Sequence, residues 1–180
     1  MNIEEYNKVK DLKYCEYVDY LQDKYGIPNK PYFKMDENLD WITVRVNNKI
    51  FLDKEPSISR LKDGLVIHHV REDKYYELSD KYKASFYHWI NQSPCNLVYC
   101  DLLEHLLLHI MIHEENSERK IPKHLLYDIY WCITGKYPKL RVHNSPDTYQ
   151  QDLSSYKQHV INNSDVILAL TQRTKNKTTI

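Results

Sequence analysis

Apolar positions in the first 25 residues fall at Tyr6, Val9, Leu12, Tyr17, Val18, Tyr20, Leu21 and Tyr25. This near-helical spacing predicts one amphipathic helix over residues 3–25, with Gly26 as its C-terminal stop and Pro28 beyond. The texture then changes. "WITVRV" and "KIFL" are β-rich runs on either side of Asn47 and Asn48, a pattern that predicts a hairpin. "GLVIHHV" and "NLVYC" read as two further short strands, separated by a polar and aromatic stretch from Arg71 to Ser93. "DLLEHLLLHIMIH" reads as a helix, and Pro122 opens another that ends at Gly135. Ser145, Pro146 and Asp147 start a last helix on "TYQQDLSSYKQHVIN". Tyr137 to His143 reads as a connection, and the basic end "RTKNKTTI" as frayed. The sum is an α+β chain, mostly helical.

Two of these elements carry a concentration of histidine. The run Asp101–His113 is apolar on nearly every side, as expected of a buried helix, yet Asp101, Glu104, His105, His109 and His113 draw a polar line along it. His105 and His109 stand one turn apart, about 5–6 Å between Cβ atoms, a chelating separation. His113 drifts further around the helix. His68 and His69 end the third strand, where adjacent side chains must point to opposite faces. Either one packs while the other meets solvent, or the two do different work at one site. Isolated histidines on apolar elements are usually hydrogen-bonded core residues; four on two neighbouring elements favour a metal site. Three neutral imidazoles would leave a coordination position open. No HExxH pattern of zinc peptidases occurs.

Composition narrows the setting. A chain of 180 residues suits one domain with its own core. The 25 basic and 25 acidic residues cancel, so nothing in the overall charge draws the protein to nucleic acid or anionic lipid, and any such contact is a local patch. Cys15, Cys95, Cys100 and Cys132 lack the short paired spacings of a structural zinc site. With no apolar leader and no run of transmembrane length, the expected setting is the cytoplasm, the cysteines are free thiols, and no membrane is involved.

A strand ending in His-His, a second strand opened by Asn96, and a helix bearing His105 and His109 together resemble the HNH, or His-Me finger, nucleases. "NLVYCDLLEHLLLH" is similar to the second half of that motif in phage and mobile-element proteins. The resemblance spans about residues 60–113. It implies a single domain, 1–180, around a ββα-metal core at 60–113 with an inserted segment at 71–93. An N-terminal helix and hairpin at 1–58 and C-terminal helices at 118–180 would surround it.

The resemblance further implies a metal-dependent DNA endonuclease that leaves 5′-phosphate and 3′-hydroxyl ends. His69 would be the general base for the attacking water, and His68, His105 and His109 would ligate one divalent ion, Mg, Mn, Zn or Ni. Asn96 would tie down the loop between the strands or join the ligands. Arg71 and Lys74 are candidates for phosphate contact. The stretch from His69 to Asn96 is longer than in compact members of the family and could hold an inserted helix, with Asn91 as the substitute should Asn96 not take the motif position. DNA is the expected partner, with a homodimer or protein partner supplying affinity that the neutral charge does not. The alternatives are an HNH-like binding or regulatory protein without catalysis and a hydrolase acting on RNA.

Overall fold

The computed structural model describes residues 1–38, 40–46, 49–134 and 157–177. They gather into two compact units. One comprises Met1–Tyr17, Arg60–Val66 and the chain from Cys100 onward; the other comprises Val18–Ser59 and Ile67–Tyr99. The protein is a mixed α and β chain with two small antiparallel sheets.

The first unit is helical. The predicted N-terminal helix is two: α1 (Ile3–Val9), in this unit, and α2 (Tyr14–Tyr25), whose residues from Val18 onward belong to the second. Asn2 caps α1, accepting from the Glu5 amide. The chain can restart at Tyr14 because carboxylates satisfy the amides freed there: Lys13 N–H donates to Glu16 at 2.8 Å and Tyr14 N–H to Glu115 at 3.0 Å. Helix α3 (Leu102–Glu115) is buried along most of its length, as its all-round apolarity requires. It begins in a capping box: Asp101 accepts from the amides of Leu103 and Glu104, and Glu104 accepts from that of Asp101.

Helices α4 (Lys123–Thr134) and α5 (Ser164–Lys177) pack on α3, and α5 also packs on α1. Residues 157–162 are helical as well. The basic end is ordered further than its composition suggests: Arg173 grips Glu114 through two hydrogen bonds of 2.8 and 2.7 Å and donates to the Lys10 carbonyl. The stop at Gly135, the connection at Tyr137–His143, the helix start at Ser145 and the last three residues lie outside the described residues.

The second unit holds the hairpin, β1 (Thr43–Val46) and β2 (Lys49–Leu52), paired antiparallel from Thr43–Leu52 to Val46–Lys49; Asn47 and Asn48 lie outside the described residues. Its core gathers Tyr32, Phe33, Leu52, Ile58, Ala84 and Leu97, with Trp41 and Ile67 against them. β3 (Val66–His69) pairs with β4 (Leu97–Cys100), which is buried throughout. The segment between them forms no inserted helix. It is a succession of short 3-10 turns at Val70–Asp73, Lys83–Phe86 and Trp89–Gln92. Asp80 holds the Tyr82 and Lys83 amides on its side chain, and Glu77 sits at φ 53°, so the local bonding favours turns over a continuous helix.

Candidate metal centre

β4 runs into α3 through a single residue, Asp101, and β3 ends at the histidine pair. These elements set out the side chains. The four-residue spacing on α3 brings the rings of His105 and His109 together, centroids 4.8 Å apart and Nε2 to Nε2 3.2 Å. One ring must donate to the other in the absence of an ion. The ring nitrogens of His68, His105 and His109 supply three donor atoms within 4.8 Å of one another. His68 and His109 are buried and His105 is partly so.

One pair of this donor set has the ligand spacing of a first-row ion. On a tetrahedral centre with bonds of about 2.0–2.1 Å, two ligand nitrogens stand about 3.3–3.4 Å apart. The 3.2 Å between His105 and His109 is close to that spacing. Glu72 lies one turn past His68 in sequence, its Oε2 3.8 Å from His68 Nδ1.

His69 has other partners. Its ring is buried, packs edge-on against Tyr32 with centroids 4.5 Å apart, and meets Gln92 Oε1 through Nε2 at 2.8 Å. Burial pushes this imidazole down from its ordinary 6.5 to about 4; the bond to Gln92 works against that and the charge of Lys54 with it. His69 is therefore neutral at pH 7. Nothing local in the sequence points to Gln92 or Tyr32 as its neighbours.

The remaining candidates are placed as follows. Asn96 Nδ2 donates to the Ile90 carbonyl at 2.7 Å and lies 3.2 Å from Ser93 Oγ, so its amide binds the turn that precedes β4. Asn91 is buried and donates to the His88 carbonyl at 2.9 Å. Arg71 is half-buried, its Nε without a hydrogen-bond partner among the described residues, and Lys74 is exposed. His113 donates through Nδ1 to the Arg119 carbonyl at 2.8 Å, which employs it at the C-terminal end of α3 instead of in the histidine group. All four cysteines are free thiols. No helix among the described residues is long and apolar enough to cross a membrane.

Comparison with known protein families, curated proteins and solved structures finds no match to this chain.

Proposed function

We propose that the protein is a metal-dependent endonuclease of the HNH type, built on a ββα-metal unit and hydrolysing DNA phosphodiester bonds. The observation that carries the reading is the meeting of three imidazole donors, His68 from the strand that ends in the histidine pair and His105 and His109 from the helix that follows β4. A divalent ion held by them would supply Lewis-acid charge at the scissile phosphoryl group and its leaving oxygen. Nitrogen donors favour Zn, Ni or Mn over Mg, which prefers an oxygen shell.

The chain's own groups supply the rest. His69, neutral at pH 7, accepts the proton of the attacking water. Asn96 holds the turn leading into β4, and Arg71 and Lys74 offer cationic side chains within five residues of the base.

The test is cleavage of plasmid DNA by metal-stripped protein, with Mg²⁺, Mn²⁺, Ni²⁺ and Zn²⁺ restored separately. Nicking is expected with the transition metals and not without metal, leaving 5′-phosphate ends. His69→Ala is expected to lower the rate by about 100-fold or more while metal affinity stays unchanged. Absence of cleavage of both DNA and RNA under every metal would leave a non-catalytic binding module as the better reading; cleavage of RNA alone would move the substrate.

A further inference from the structure

The hydrogen bond between His69 and Gln92 has a direction that a third group decides. Gln92 is buried, and its side-chain nitrogen donates to the Leu78 carbonyl at 2.9 Å. A carbonyl can only accept, so the amide nitrogen of Gln92 must face Leu78 and its oxygen must face His69. Reversing the amide would set two oxygens against each other and leave a buried carbonyl without its donor. The Gln92 oxygen, 2.8 Å from His69 Nε2, is in turn only an acceptor. A neutral imidazole carries its proton on one nitrogen, and here that nitrogen is Nε2. Nδ1 is then the nitrogen with the lone pair, and it has no hydrogen-bond partner among the described residues.

We propose that Gln92 is the positioning residue of His69: anchored by the Leu78 carbonyl, it holds the imidazole as the Nε2–H tautomer and leaves Nδ1 as the nitrogen that takes the proton. The edge-on contact with Tyr32 fixes the ring plane, and Lys54 Nζ, 4.4 Å over the far ring, keeps Tyr32 in its place. The chain Leu78–Gln92–His69 thus sets which atom is basic without touching substrate. The tautomer assignment stands on hydrogen bonding alone; its use in proton transfer rests on the nuclease reading above.

The two parts are tested separately. Long-range ¹H–¹⁵N NMR of metal-free, ¹⁵N-histidine-labelled full-length protein at neutral pH reads each ring nitrogen, with His69→Asn providing the assignment. A protonated Nε2 and an unprotonated Nδ1 are expected for His69. An Nδ1–H tautomer, or two averaged nitrogens, would overturn the proposal with no variant of Gln92 needed. Gln92→Met removes the acceptor at similar volume and is expected to give averaged His69 nitrogens. Its kcat for DNA cleavage is expected to fall about 10- to 100-fold with KM and metal affinity unchanged, up to the low end of the roughly 10²- to 10⁴-fold usual for general acid–base catalysis. Unchanged kcat with a scrambled tautomer would overturn the positioning role. If the wild-type protein cleaves nothing while the tautomer is as assigned, the nuclease reading fails and the Gln92 lock stands.

Discussion

The two adjacent histidines differ in what surrounds them, and the difference sets a pH dependence. His69 titrates near 6.5 when unfolded and near 4 when folded, because burial opposes its charge. Between these values the unfolded chain binds more protons, so stability is complete above about pH 6.5 and falls as the pH drops toward 4, by up to about 3 kcal/mol. Urea unfolding at pH 7 and pH 4.5 is expected to show this loss in the wild type and a clearly smaller one in His69→Leu; equal losses would show that His69 is not the group responsible. The group of His68, His105 and His109, which could hold an ion, is tested by metal titration. Loss of an outer-shell partner commonly costs 10–100-fold in affinity, so removing a direct ligand through His109→Ala or His68→Ala is expected to cost about 100-fold or more. Calorimetric titration of metal-stripped protein checks this, and unchanged affinity would remove the residue from the ligand set. The candidates of this group were legible in sequence because spacing on one helix and position at one strand end are local properties. Gln92 was not: it lies 23 residues from His69, and only the folded turns bring them within hydrogen-bonding distance.

Among the elements, α3 carries the helical half of the site, and its start is the point where it is most exposed to mutation. Burial alone would raise the Asp101 carboxyl, but hydrogen bonds from His159 at 3.0 Å and from the Met1 amino group hold it well below the ordinary range. A carboxyl lowered in the folded state contributes stability that is present above about pH 4 and lost as pH falls further. Asp101→Ala removes both the cap and this pairing. The cap is worth about 1 kcal/mol and an uncompensated buried charge about 3 kcal/mol or more, so a total loss of about 3–4 kcal/mol is expected in urea unfolding. Asp101→Asn keeps the acceptor for the Leu103 and Glu104 amides and is expected to recover about 1 kcal/mol of it; no recovery would mean that the cap contributes nothing. The strands and α3 were readable from periodicity and end signals. The division between α1 and α2 was not, since the Tyr14 amide finds its acceptor on Glu115, 101 residues away. The same holds for the basic end, where Glu114 and the Lys10 carbonyl fasten Arg173. The segment after His69 has the length for an inserted helix, but Asp80 and the left-handed Glu77 commit the backbone to turns.

For the whole molecule, each of the two compact units is assembled from separated stretches of chain, so no linker composition marks a boundary in the sequence. What composition does fix is the charge balance, 25 basic against 25 acidic residues. Duplex affinity comes largely from neutralised phosphates, with log K falling against log salt at about −0.9 per contact. If Arg71 and Lys74 are the phosphate contacts, a slope near −1.8 follows, and raising salt fourfold, from about 50 to about 200 mM, weakens binding only about tenfold. On the nuclease proposal, fluorescence anisotropy of a labelled duplex with metal-loaded His69→Ala protein, the variant expected to bind without cutting, is expected to give that shallow slope. Arg71→Ala and Lys74→Ala are each expected to reduce it by about one contact. A steep slope, with a loss of about a thousandfold or more over the same range, would mean that many other cations meet the DNA despite the neutral balance. Unchanged slopes in both variants would remove Arg71 and Lys74 from the interface. The shallow outcome makes a definite demand on the proposed nuclease: with so little electrostatic attraction, selection of a cleavage site would have to come from base contacts, from a second copy of the chain or from a protein partner.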